Sequence, residues 1–153
     1  MTVQDFIVNY NETFKFIHKR HGKSAVIDLW SYLGETGIEL CEAVREKGLE
    51  GYYEFFYGEA GTCSREDLEG GAYIDGDGVF HEIVDGCPSV AELEERGKRP
   101  YRYYCEHCYW LYRKSLEENG YAYDAFYELQ PRDEGYVKKC SFCSKKREGE
   151  GKA

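Results

Sequence analysis

The sequence predicts an α+β fold: a helical N-terminal layer packed on a small antiparallel sheet, with a C-terminal lobe stapled by a four-cysteine metal site. Three observations lead there. Over residues 1–60, apolar side chains recur at helical spacing between glycine stops. From Gly61 onward the texture changes to short alternating segments around an Asp-Gly turn. Two C-x-x-C units, Cys105 with Cys108 and Cys140 with Cys143, stand 31 residues apart. The expected division is a helical layer over 1–60 and a hairpin with a metal lobe over 61–153, the two continuous as one domain.

Each element has its own reason. Val3, Phe6, Ile7, Tyr10, Phe14 and Ile17 mark a first helix that Gly22 stops. Ser24 can cap a second, carrying Val26, Leu29, Trp30 and Leu33 up to Gly34. A third holds Ile38, Cys41 and Val44 and ends at Gly48. Leu49 to Tyr57 makes a shorter fourth. Ala72–Asp75 and Val79–Val84 read as strands around Asp75-Gly76-Asp77-Gly78, where glycine supplies the positive φ of a hairpin turn. A calcium loop is excluded there, because Val79 and Gly86 occupy positions that need acidic ligands. Ser89 and Glu92 match a capping box for a short helix ending near Gly97. Tyr109–Glu118 reads as a helix stopped by Asn119-Gly120. Tyr121–Leu129 alternates as a strand. Pro131–Gly135 reads as a turn, and Tyr136-Val137 leads into the second C-x-x-C. Lys145–Ala153 reads as a frayed polar tail.

Composition narrows the function. The chain has 153 residues, 42% of them hydrophobic, which is enough for a core of its own. Net charge is −9, a poor basis for nucleic-acid binding, which runs on phosphate neutralisation. It also disfavours anionic membranes. Charge is uneven: residues 1–86 hold 7 basic and 17 acidic groups, residues 87–153 hold 13 and 12. No apolar run reaches the roughly 18 residues of a membrane span, and the first residues lack the pattern of a signal peptide. The expected address is cytoplasmic, and the expected partner is a small-molecule ligand or a protein, with no nucleic acid and no membrane.

Seven cysteines, an odd number without a secretory signal, argue against a disulfide scaffold. Two C-x-x-C units instead point to one zinc held by Cys105, Cys108, Cys140 and Cys143. A two-residue spacer lets both sulfurs of a tight turn reach one ion, and two turns complete a tetrahedron. Cys87, before Pro88, offers an alternative ligand: with Cys105, Cys108 and one of Cys140 or Cys143 it could hold an iron–sulfur cluster. Cys41 fits a helix core, and Cys63 sits in a loop. A c-type haem is excluded because Tyr109 follows Cys108. Arg99, Arg102, Lys138, Lys139, Lys145, Lys146 and Arg147 bracket the pairs and could offset thiolate charge.

His81, Glu82 and Cys87 lie within seven residues of one another. An imidazole and a thiol are a general base and a nucleophile, so His81 and Cys87 are the candidate catalytic residues, although Glu82 falls on the opposite strand face from His81. Glu54 and Glu59 are further acids. A cleft lined by Trp30 and Tyr53 or Tyr57, with His81 and Cys87 at its edge, is the expected pocket. The zinc-deaminase signature fails here, and no nucleophile-elbow, phosphate-loop or dinucleotide glycine pattern is present.

The layout runs from the aromatic and glycine segment Gly48–Glu59, through the strand entering Cys87-Pro88 and the Cys105/Cys108 pair, to the late Cys140. It resembles the amino-thiazoline-carboxylate hydrolase-like family of small bacterial cytosolic α/β proteins. The resemblance implies functional roles for Cys87, Cys105, Cys108 and Cys140, and Cys143 departs from its pattern. The leading expectation is a small metal-binding protein with a ligand or substrate pocket, hydrolysing a carbon–nitrogen or carbon–sulfur bond if it is an enzyme. The alternatives are a zinc-stabilised interaction module and an iron–sulfur protein of an anaerobic pathway.

Overall fold

A computed structural model describes residues 2–58, 69–129 and 137–148. Cys63, Glu59, the turn expected at Pro131–Gly135 and the last five residues lie outside them. The fold is α+β. Helix α1 (Val3–Glu35) starts with a capping box: the Asp5 amide donates to Thr2 Oγ1 at 3.1 Å and the Thr2 amide to Asp5 Oδ2 at 3.0 Å. It is broken at Gly22, whose φ of 85° and ψ of 177° no helix uses, so the expected first two helices survive as two arms. Helix α2 (Ile38–Lys47) and helix α3 (Leu49–Tyr57) meet at Gly48, φ 65°.

Strand β1 (Glu69–Ile74) and strand β2 (Phe80–Asp85) form the expected hairpin. Asp75 Oδ1 accepts the amides of Asp77 and Val79, both at 3.0 Å, which holds the turn closed. Helix α4 (Pro88–Glu95) begins two residues earlier than a capping box with Ser89 as N-cap predicts. Proline fits the first helical position, so Cys87 becomes the residue that precedes the helix. A 3₁₀ turn (Tyr104–Glu106) runs into helix α5 (His107–Glu117). Strands β3 (Tyr121–Leu129) and β4 (Val137–Lys146) complete a four-stranded antiparallel sheet of order β1-β2-β4-β3. Among the described residues no helix is long and apolar enough to cross a membrane.

Two cores hold the molecule, and they divide the chain differently from a split at residue 60. One joins α2, α3 and α5 to the inner face of the sheet through Leu40, Val44, Tyr52, Phe56, Phe80, Leu116, Tyr123 and Phe142. The other joins α1 to α4 and the segment before α5 through Phe14, Val26, Trp30, Leu93, Tyr101 and Tyr104. α5 bridges them, packed on both α1 and β3. Its approach to α1 requires Gly34, where a Cβ would lie 2.3 Å from the Leu111 carbonyl oxygen.

A candidate thiol site at the seam

The two C-x-x-C units fold differently. Cys105 sits in the 3₁₀ turn and Cys108 in the first turn of α5, so helical winding brings both sulfurs to one side. Cys140 and Cys143 lie in the middle of β4, paired on both edges: Cys140 opposite Val84 and Tyr127, Cys143 opposite His81 and Asp124. Side chains alternate on a strand, so two cysteines three apart face opposite sides. Cys140, Phe142 and Ser144 are buried on the inner face. Cys143 looks outward with Asp75, Asp124 and Lys145 as its charged neighbours. The expected tight turn at the second pair is therefore absent, and Cys143 stands apart from the other three proposed zinc ligands.

Cys87 bears on the inward-facing thiols. The Cys108 thiol is pushed well above its ordinary pKa, by burial first and then by Cys87, Cys140, Glu82 and Cys105. Cys140 is raised by burial, then by Cys87, Cys105 and Glu82. Mutual influence of this kind requires the groups to lie close together. Cys105 packs against both cores, Cys87 against the second, and Cys108 and Cys140 belong with the first, so the four cysteines line the seam between them. They arrive from four places: the loop after β2, the 3₁₀ turn, α5 and β4. None of the six described cysteines is in a disulfide. Among the described residues, no group of three or more His, Cys, Asp or Glu side chains is already arranged to hold a metal ion.

The surroundings are acidic or neutral. Burial raises Glu82, and the hydrogen bond it accepts from the Tyr57 hydroxyl pulls it back in part. Burial also raises the Cys87 thiol, while the amides of Val90 and Ser89 at the start of α4 lower it, as a helix N-terminus does for a thiolate. Tyr10 is raised to about 12 by burial and by Cys108, and Tyr104 is raised by burial and by Cys87. His107 Nδ1 donates to the Tyr104 carbonyl at 2.8 Å, which leaves Nε2 as an acceptor 3.7 Å from Cys108 Sγ. Three of the basic residues expected to offset thiolate charge are engaged elsewhere. Arg102 lies 4.9 Å above the Tyr103 ring, and Lys139 and Lys145 sit on the outer face of the sheet.

The proposed catalytic pair does not converge. His81 lies on the outer face, stacked on Tyr73 at 5.0 Å, with Nε2 2.8 Å from Asp75 Oδ2. Cys87 belongs to the seam. The expected cleft is also not formed by its named side chains. Trp30 is fully buried in the second core against Phe14, Tyr57 bonds Glu82, and His81 is on the far side of the sheet. Glu54 is an exposed partner of Lys47. His18 bonds the Tyr101 hydroxyl at 2.7 Å. Sequence reading placed Glu82 opposite His81 but gave it no role. Its alternation with Phe80 and Val84 was the signal that it faces inward. Cys41 lies half-buried between α2 and the end of α5, 3.6 Å from Asn119 Nδ2.

No family model matches the chain, and no curated protein or solved structure matches it significantly.

Proposed function

We propose that the chain is a metal–thiolate protein in which Cys87, Cys105, Cys108 and Cys140 hold a thiophilic centre at the seam of its two cores. The observation that carries this reading is the placement of four cysteines from four separate segments along the seam of the two cores, where Cys87 and Cys105 raise the thiol pKa of both Cys108 and Cys140. Such a group costs free energy if it ionises alone, because burial opposes the Cys87, Cys108 and Cys140 thiolates and Glu82 adds to it at Cys108 and Cys140. A bound cation reverses that balance and ties the four segments together. Free thiols in this number also suit a reducing compartment, which supports the cytoplasmic reading.

Zinc is the first occupant proposed, since four thiolates form its closed structural shell. A closed shell gives the centre a stapling role, favouring a binding or interaction module over a metal-centred hydrolase. The hydrolytic activity that the resemblance implies would draw instead on Glu82 and Tyr57, the acid and phenol beside the thiols. An iron–sulfur cluster is the second reading. It draws on the same four thiolate ligands. Metal analysis and visible absorption of anaerobically purified protein test both. One zinc per chain in a colourless sample is expected. A brown sample with stoichiometric iron and sulfide selects the cluster, and a sample with neither metal, unable to take up either, ends the proposal.

A further inference from the structure

A second feature lies on the far side of α1, and the thiol reading does not use it. An open cavity of about 640 Å³ is lined by Lys15, His18, Lys19, Arg99, Tyr101 and Arg102. Lys15, His18 and Lys19 are spaced i, i+3 and i+4, so they share one face of α1. The other wall is the segment that follows α4. No carboxylate lines the cavity, although the chain as a whole carries −9. Two acids stand beside it: Glu12 pairs with Lys15 at 2.8 Å, and Glu106, paired with Lys23, acts on Tyr101.

The walls are held in place. Asn11 is fully buried, accepts the Tyr101 amide at 2.6 Å and donates to the Arg99 carbonyl at 3.1 Å. This side chain fixes the backbone between the two arginines to the helix bearing the lysines. Tyr101 is buried beneath, and its hydroxyl meets His18 Nδ1 at 2.7 Å. Arg102 rests on the Tyr103 ring, which also stacks with His18 at 5.9 Å. Lys15, Lys19, Arg99 and Arg102 thus line one bowl with the buried Tyr101 beneath it.

We propose that this bowl binds the diphosphate group of a small molecule. Charge matching selects the ligand. A diphosphate carries about three negative charges near neutral pH and offers many acceptor oxygens to guanidinium forks and ammonium donors. A monocarboxylate occupies only one guanidinium fork, whereas a diphosphate reaches both arginines and the lysines at once. A nucleic-acid polymer needs a stripe of positive charge, whereas here the cations are confined to one concavity on an acidic protein.

The test is calorimetric titration of the full chain with inorganic pyrophosphate. Binding is expected, weakening as salt is raised, and Lys19→Glu with Arg102→Glu should weaken it at least tenfold. Lys139→Glu with Lys145→Glu makes the same change of net charge on the outer face of the sheet and should leave affinity within about twofold. Should the first double variant not fold by circular dichroism, Lys15→Gln with Lys19→Gln is read by the same criterion. The proposal is overturned by no heat at millimolar pyrophosphate, by binding that survives the pocket variants, by equal loss in the sheet-face variant, or by citrate binding as tightly as pyrophosphate.

Discussion

Cys105/Cys108 and Cys140/Cys143 share the same spacing, and the fold gives them opposite uses. The first pair straddles the entry to α5, where three residues bring a side chain nearly back to where it began. The second lies in a strand paired on both edges, where three residues carry the side chain to the other face. One unit therefore delivers two sulfurs to the seam and the other delivers one. A ligand motif is a statement about backbone as much as about residue types, and the second pair lacks the turn that the motif presupposes.

The sharpest way to break this comparison is to change the cysteines singly. Ala at Cys87, Cys105, Cys108 or Cys140 should abolish stoichiometric metal and loosen the seam. A structural zinc centre is worth on the order of 10 kcal/mol in small zinc peptides, so the effect should be close to all-or-none. Cys143→Ser should keep the metal. Metal content after purification decides it: loss in Cys143→Ser with retention in Cys87→Ala would restore the paired-motif site and refute the one proposed.

A smaller effect separates neighbouring positions of β4. Phe142 is 4% exposed and stacked on Tyr123 at 5.6 Å. Phe142→Ala should cost about 3–5 kcal/mol through lost burial and a cavity. Cys143→Ser, on the outer face, should stay within about 0.5 kcal/mol. Urea denaturation of metal-free protein measures both, and similar losses at the two positions would contradict the alternation from which the split of the pair is argued.

Much of this was legible beforehand, and the exceptions share a cause. The break at Gly22, the joint at Gly48, helix Leu49–Tyr57 and the hairpin around Asp75–Gly78 follow from local chemistry, and the structure reproduces them. The errors arose where tertiary pairing overrode a local motif. The second C-x-x-C reads as a turn until β2 and β3 are known to flank it. Alternation of Cys140, Phe142 and Ser144 was visible, but the cysteine spacing was given more weight. The capping box at Ser89 yielded to Pro88. Trp30 was expected in a cleft, but the close approach of α1 and α5 at Gly34 seals it in the core. Cys87 was legible as an alternative ligand, while its partnership with Cys140 alone depended on the face that β4 presents.

The smallest predicted effect is a pH dependence that should belong to the first pair only. That pair encloses His107, and the second encloses Phe142 at the corresponding place. Burial lowers the His107 pKa below its ordinary 6.5, against the pull of the Tyr104 carbonyl. Below about pH 6.5 the unfolded chain takes up a proton that folded His107 refuses. Stability should therefore fall as pH drops through that value, and keep falling until the folded pKa is reached. The slope from this one group is at most about 1.4 kcal/mol per pH unit. The measurement is a difference between two proteins that share every other side chain. Urea midpoints of the wild type and His107→Gln, taken on metal-free protein between about pH 7 and about pH 5, should diverge with the variant less acid-sensitive. Parallel pH profiles would mean that His107 accepts its proton in the folded state, and that the first pair is no more sensitive to acid than the second.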